Sequence, residues 1–149
     1  MRSIVATARG VHILINAERK RRGLQPVYWS RVCASYAQSS ADACAKMGQL
    51  IHARLLSWDG GENLAFGSRY FTPRAIVNCW MRSRVGHKDN LLNPQAKKAG
   101  VGIERTGKGT YVAWIFSRML PTYPDCPGYR IHRRRAGFFN RIAKFLFGK

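Results

Sequence analysis

The first half of the chain is predicted to form three helices, because its apolar residues recur every three or four positions. One helix covers roughly residues 9–22 and is followed by Gly23, a residue favoured just beyond a helix end. A longer helix covers about 31–51, and a third starts with Thr72 and Pro73, which suit its cap and first turn. The inward face of the second helix is predicted to carry Cys33, Tyr36, Ala37, Ser40, Cys44, Met47 and Ile51.

Beyond Pro94 the apolar residues follow a period of two, which indicates β-strands. Residues 99–105 and 110–117 are predicted to pair as a hairpin through a Thr-Gly-Lys-Gly turn. The second strand is apolar on both faces, so we expect both faces to be covered. Helices ahead of such a strand predict an α/β fold, a three-layer α/β/α sandwich with an antiparallel central sheet and helices on both faces.

The chain is strongly basic, with 26 lysines and arginines against 7 acids and a formal charge of +19. Seven of these bases lie in residues 130–149, so the body of the chain is basic as well. Such a charge attracts nucleic acid, anionic lipid or acidic polymers without specifying which. No apolar run approaches the roughly 18 residues of a membrane span, and no complete signal peptide is recognised at the start.

Composition divides the 149 residues into three parts. Residues 1–120 are predicted to form one domain, 121–129 a Pro-rich linker and 130–149 a basic amphipathic segment. In the last segment apolar residues such as Phe138 and Ile142 share one face of a helix. Two interpretations are open. The segment binds an anionic membrane surface as an interfacial helix, or its apolar face folds back on the domain.

The four cysteines are expected to be buried free thiols. Cys33 and Cys44 are eleven residues apart on one predicted helix, about 16 Å along its axis, which is too far for a disulfide. Cys79 falls in the third helix. Cys126 lies in the Pro-rich segment and could pair with one of the others, but the spacing shows no disulfide framework and no C-x-x-C metal motif.

Several short motifs follow one another in order over residues 11–117. They lie at 15–19, 23–26, Trp29, 36–38, His52, 61–65, 80–83, 86–94 and 100–102. Together they resemble the CAP superfamily of cysteine-rich secretory, antigen-five and pathogenesis-related proteins, in its prokaryotic single-domain form. The resemblance implies an α/β/α sandwich with a large central cleft, in agreement with the layers predicted from the hydrophobic pattern.

By this resemblance His52, Glu62 and His87 correspond to three members of a cleft tetrad of two histidines and two acids. The fourth position is Ser83 here, which weakens a metal site with four protein ligands. The resemblance leaves open a Zn²⁺ ion at His52 and His87, since two imidazoles suit zinc and water would complete the set. Asn63 belongs to the same cleft motif and is expected to satisfy loop backbone groups. From spacing alone, these residues would be read simply as polar positions in loops.

The resemblance favours a non-enzymatic binding domain whose cleft holds a divalent metal ion or a small apolar or lipid ligand. The alternative is a metal-assisted hydrolase, but no nucleophile beside a His–acid pair is recognised and the second carboxylate is missing. A nucleic-acid binder is suggested by charge alone and is not favoured. The resemblance implies a secreted or cell-surface protein, while the lack of a recognised signal peptide leaves a cytoplasmic location open. The oligomeric state is not predicted.

Overall fold

The computed structural model describes residues 6–53 and 59–129. Within them the helices are α1 (Ala8–Lys20), α2 (Arg31–Met47), α3 (Pro73–Met81) and α4 (His87–Leu91). The strands are β1 (Tyr28–Trp29), β2 (Gly60–Gly67), β3 (Lys98–Thr106) and β4 (Gly109–Ser117). The three predicted helices and the predicted hairpin are therefore confirmed, whereas β1, β2 and α4 lie in stretches where the sequence has no clear period.

Local signals set the ends of the helices. Thr72 caps α3 as predicted, and its hydroxyl accepts a hydrogen bond from the backbone N–H of Ala75 at 3.1 Å. α2 ends earlier than predicted because Gly48 adopts a left-handed conformation, with φ at 69°. This glycine turns the chain out of the helix before His52, which therefore lies on a connecting stretch.

The sheet has the strand order β1-β3-β4-β2. β4 pairs antiparallel with both β3 and β2, and every residue of β4 is buried. β1 adds a parallel pair of two residues at the edge of β3, so the sheet is mixed rather than purely antiparallel. The predicted α/β/α sandwich is confirmed with this one change in the sheet.

α2 covers one face of the sheet, and α1 and α3 cover the other. The β4 residues that pack on the α2 side are Tyr111, Ala113 and Ile115. Those on the other side are Val112, Trp114 and Phe116. α2 lies so close to β3 that a Cβ atom at Gly100 or Gly102 would be 2.1 or 2.2 Å from backbone nitrogen atoms of α2. Glycine is therefore required at both positions for the two layers to pack.

This close packing explains an error in the predicted inward face of α2. The buried residues of the helix are Cys33, Ala37, Ser40, Ala41 and Cys44. The larger side chains of Tyr36, Met47 and Ile51, for which the spacing predicts an inward position, are exposed. Because the helix backbone lies against glycines of β3, only small side chains fit between the layers, and Tyr36 and Met47 are displaced to the flank. Ile51 lies beyond the end of α2, after the turn at Gly48.

All four cysteines are free thiols, as predicted. Cys33, Cys44 and Cys126 are buried, whereas Cys79 is exposed, so the expectation of burial is wrong at this one position. The inward face of α3 is formed by Ile76, Val77 and Trp80, and Cys79 lies between their positions on the outer side of the helix.

The predicted Pro-rich linker, residues 121–129, is packed against the domain. The carboxylate of Asp125 accepts hydrogen bonds from the hydroxyl of Ser30 at 2.7 Å and from the backbone N–H of Val32 at 2.9 Å. The neighbouring Cys126 is fully buried. The prolines give this segment a composition typical of linkers, but one acidic and one apolar side chain anchor it to the start of α2.

The predicted amphipathic segment, residues 130–149, lies outside the described residues, so both of its interpretations stay predictions. Across the part of the chain that the structure does describe, no helix is both long enough and apolar enough to span a membrane.

Candidate functional site

Glu62, on β2, lies at the centre of a hydrogen-bonded group. Its side chain is only 4% exposed. One carboxylate oxygen, Oε1, accepts hydrogen bonds from Nδ1 of His52 at 2.8 Å and from the backbone N–H of Ala53 at 3.0 Å. The other oxygen, Oε2, accepts a hydrogen bond from the hydroxyl of Ser40 at 2.6 Å. Protein donors thus satisfy both oxygens, as the burial of a carboxylate requires.

This carboxylate also fixes the orientation of His52. Because a carboxylate oxygen only accepts, the proton of the neutral imidazole lies on Nδ1, and Nε2 is left as an acceptor. The imidazole side chain is 63% exposed, so the edge of the ring that faces away from Glu62 is accessible. On that edge His52 is able to accept a hydrogen bond or a proton from a bound molecule.

His87 is the first residue of α4 and directly follows Gly86, whose φ of 94° turns the chain into that helix. The pKa of His87 is lowered, chiefly by burial and additionally by the nearby His52. Both effects disfavour the charged imidazolium. The carbonyl oxygen of His87 accepts a hydrogen bond from Asn63, the residue after Glu62 on β2, so the backbone of His87 lies beside the strand that carries Glu62.

Asn63 is fully buried and holds α4 against β2. Its amide nitrogen donates to the carbonyl oxygen of His87 at 2.9 Å, and its side-chain oxygen accepts from Nδ2 of Asn90 at 2.9 Å. The amide is therefore occupied within the protein. Asn63 positions the backbone of His87, in line with the expectation that it satisfies backbone groups.

Ser83, the predicted fourth cleft position, lies in the turn that follows α3. Its hydroxyl accepts a hydrogen bond from the backbone N–H of Val85 at 3.2 Å, and its own N–H donates to the carbonyl oxygen of Trp80. Among the described residues, no hydrogen bond joins Ser83 to His52, Glu62 or His87. Its role in the structure is to shape the turn that leads into α4.

Two residues of this site are not identified as such from the sequence. Ser40 falls on the predicted inward face of the second helix, where a serine is typical of close packing. Asn90 lies within the matched motif at 86–94, which is the signal that could have identified it. Both side chains owe their role to a contact across the fold, which no local pattern specifies.

The donor atoms near His52 do not match a resident zinc ion. Within residues 6–53 and 59–129, no group of three or more histidine, cysteine, aspartate or glutamate side chains could hold a metal ion. Both oxygens of Glu62 are already engaged, which leaves the two imidazoles of His52 and His87. Catalytic zinc sites use three protein ligands and structural ones four. The donor set therefore does not support the zinc ion that the resemblance leaves open at these two histidines, and only metal analysis tests whether it binds.

An apolar groove runs along α2 and reaches His52, with a volume of about 440 Å³. We call it the α2 groove. Its lining includes Tyr36, Ser40, Ala43, Met47, Ile51 and His52. The exposed flank of large side chains on α2 thus forms the wall of a concave surface, with two serines, Ser39 and Ser40, and a histidine in its lining. Apolar walls with a few polar groups are characteristic of small-molecule sites.

Comparison with known proteins identifies the class to which this fold and site belong. Residues 12–117 match the model of the CAP family, described as the cysteine-rich secretory protein family. That match covers well over half of the chain. The chain belongs to the CAP family, and the resemblance found in its motifs is confirmed.

Individual relatives agree with this assignment. The Bacillus subtilis (strain 168) protein named Uncharacterized protein YkwD is 29% identical over 119 residues, 70% of this chain and 45% of that protein. Pathogenesis-related leaf protein 4 of Solanum lycopersicum is 35% identical over 99 residues, 66% of this chain and 55% of that protein. The chain thus spans about half the length of these relatives.

The fold is also found among solved structures. An outer surface protein from Borrelia burgdorferi matches with a TM-score of 0.63 at 21% sequence identity. The match covers 74% of this chain and 92% of that chain. At this identity the likeness concerns the fold alone, which is the CAP-type α/β/α sandwich.

Proposed function

We propose that this chain is a non-enzymatic binding domain for a small amphiphilic molecule. The apolar part of the ligand lies in the α2 groove, and its polar end contacts His52. The observation that carries the proposal is that this groove reaches the imidazole whose Nδ1 is held by Glu62. Its volume of about 440 Å³ falls in the range of roughly 300–1,000 Å³ that is typical of ligand pockets.

The chemistry of the groove supports an amphiphile. Met47 and Ile51 offer exposed apolar surface, whose burial by a ligand is favourable in proportion to the area covered. His52 offers a fixed hydrogen-bonding edge beside that surface. A hydroxyl or carboxyl head group on an alkyl or ring body matches both features. A lipid is therefore the class of ligand we propose.

A hydrolase is less well supported. A His–acid pair acts in hydrolysis when its imidazole receives a proton from a nucleophile. In the part of the chain that the structure describes, no serine or cysteine side chain is hydrogen-bonded to His52, and the hydroxyl of Ser40 donates to Glu62 instead. The missing third zinc ligand removes the support for water activation by a metal.

A secreted or surface location accords with this function. The family is described as secretory, and one structural relative is named an outer surface protein. We extend that location to this chain as part of the proposal, since a small CAP domain that captures lipids would meet them outside the cell.

The test is a titration of the full chain with a fluorescent long-chain fatty acid. Met47→Glu places a charge in the groove and is expected to weaken binding at least about tenfold, because it removes apolar contact worth roughly 1.5 kcal/mol or more. The matched control is Met119→Glu, since Met119 and Met47 are 59% and 61% exposed. Equal affinity in the two variants, or no binding by the parent protein, would overturn the proposal.

A further inference from the structure

Two buried cysteines lie on elements that share a single hydrogen-bonded junction. Cys33 is in the first turn of α2, where its backbone N–H donates to the hydroxyl of Ser30 at 3.0 Å. The same hydroxyl donates to both carboxylate oxygens of Asp125, at 2.7 and 2.9 Å. Cys126 follows Asp125 directly in the chain. The hydroxyl of Ser30, the N-cap of α2, is therefore hydrogen-bonded both to the backbone of Cys33 and to the residue that precedes Cys126.

Further contacts hold the segment around Asp125 in place. The backbone N–H groups of Arg31 and Val32 donate to the carbonyl and the carboxylate of Asp125, each at 2.9 Å. The ammonium group of Lys98, on β3, lies 2.8 Å from the same carboxylate. Asp125 therefore contacts three consecutive residues, 30–32, immediately before Cys33. This geometry holds the residues immediately before Cys33 next to the residue immediately before Cys126.

We propose that Cys33 and Cys126 form a dithiol–disulfide pair that closes across this junction. Both side chains are fully buried free thiols, and the Cys126 thiol lies 3.7 Å from the Asp125 carboxylate that accepts the hydrogen bond of the Ser30 hydroxyl. The neighbouring Cys126 also contributes to the raised pKa of Cys33. Of the other cysteines, Cys44 lies at the far end of α2, and Cys79 is on the exposed side of α3. The bond would join the start of α2 to residues 121–129, the segment that leads into the basic tail.

The reaction is a two-electron thiol–disulfide exchange with a small-molecule disulfide such as oxidised glutathione. The thiolate of one cysteine attacks the disulfide, forms a mixed disulfide and releases one molecule of glutathione. The second cysteine attacks the mixed disulfide and releases another. The protons of the two protein thiols end on the two glutathione molecules. The protein dithiol is oxidised and the glutathione disulfide is reduced.

The junction also controls how fast this reaction occurs. Burial raises the pKa of Cys33 to about 11, and burial together with the charge of Asp125 raises the pKa of Cys126. The thiolate is the reactive form, so the folded dithiol reacts slowly. Lys98 acts in the opposite direction and favours both thiolates. Exchange is therefore expected over hours, faster when residues 121–129 detach.

The experiment uses the full chain carrying Cys79→Ser, which removes the exposed thiol. It is incubated with excess oxidised glutathione at mildly alkaline pH, quenched with acid and denatured, and its remaining thiols are counted. Of the three remaining cysteines, two are expected to be lost without gain of glutathione mass, and peptide mapping is expected to find a Cys33–Cys126 crosslink. By the entropy of loop closure, the melting temperature should rise by on the order of 10 °C and fall again with reductant.

Variants identify the pair directly. Cys44→Ala in the same background is expected to keep the crosslink, whereas Cys126→Ala and Cys33→Ala are expected to lose it. If a variant fails to fold, the peptide map of the Cys79→Ser protein decides. Three unreacted thiols, a stable mixed disulfide with glutathione, or a crosslink that includes Cys44 would each overturn the proposal. None of these outcomes depends on lipid binding.

Discussion

Nδ1 of His52 lies 2.8 Å from Oε1 of Glu62, and the other oxygen of the same carboxylate accepts the hydroxyl of Ser40 at 2.6 Å. One buried side chain on β2 thereby joins α2 to the connection that follows it. The imidazole edge beside the α2 groove is held by the same group that ties this helix to the sheet. The carboxylate that orients His52, the candidate ligand contact, therefore also holds α2 against the sheet.

The first prediction concerns Ser40. Ser40→Ala removes the donor to Oε2 and leaves a buried carboxylate oxygen without a partner, which costs about 1–3 kcal/mol. The free energy of unfolding, measured by urea denaturation, is expected to fall by that amount. Ser39→Ala, at the exposed neighbouring position on the same helix, is the control and should change it by less than about 0.5 kcal/mol. Equal losses in the free energy of unfolding of the two variants would contradict a stabilising hydrogen bond between Ser40 and Glu62.

A second prediction follows from the approach of α2 to β3. In Gly100→Ala the new Cβ would lie 2.1 Å from the backbone nitrogen of Ala34, so one layer must move. We expect a loss of about 3 kcal/mol in the free energy of unfolding, or failure to fold. Gly107→Ala introduces the same atom where nothing lies within 4 Å and is expected to be tolerated. The melting temperatures of the two variants are compared by thermal denaturation. Similar melting temperatures would contradict the close approach of α2 to β3 at Gly100.

The burial of His12 predicts how the free energy of unfolding depends on pH. The pKa of His12 on α1 is lowered to about 4, chiefly by burial and additionally by Arg9, and its Nδ1 has no hydrogen-bond partner. In the unfolded chain its pKa is about 6.5, so between these values the unfolded state binds more protons. The stabilisation that comes from keeping His12 neutral is fully present above pH 6.5 and is lost as the pH falls toward 4. The free energy of unfolding falls by about 3 kcal/mol in total over this range.

His12→Gln removes this titration. Urea denaturation at the two ends of the pH window measures the effect, and the variant should lose less stability on acidification than the parent protein. Other groups titrate in both proteins and cancel in the difference. An unchanged pH dependence in the variant would show that His12 is not the group responsible.

The fold can be predicted where local pattern and tertiary packing agree. β4 is predicted because both of its faces are apolar, and it is buried along its whole length. β2 is not predicted, since its sequence of glycine, glutamate and asparagine has little intrinsic strand preference and it forms through pairing with β4. Tyr36 and Met47 have the correct helical spacing but are displaced by the glycines of β3.

The candidate functional site could not be predicted from the spacing of residues alone. His52 and Glu62 are ten positions apart on a connection and a strand, and no periodic pattern places them in contact. The family motifs are the signal that identifies them. Ser40 lies inside a helical stripe, where its hydroxyl resembles any small packing group. Its partner on the adjacent layer is visible only after the sheet is assembled.

Metal content provides a fourth prediction. With two imidazoles and no available carboxylate, dialysed protein purified without added metal is expected to retain far less than one equivalent of zinc. Elemental analysis should give the same low value for His52→Ala and His87→Ala. One equivalent in the parent protein, lost in both variants, would instead establish a zinc site at these histidines.

The central claim is that the α2 groove binds the ligand. The most direct measurement is an amide and methyl NMR titration of the full chain with an unlabelled long-chain fatty acid. We predict concentration-dependent shifts at Met47, Ile51 and His52, with little change at Ile13 on the opposite layer, which is 64% exposed. Shifts centred on Ile13 and the rest of α1, or no shifts at saturating ligand, would contradict the account.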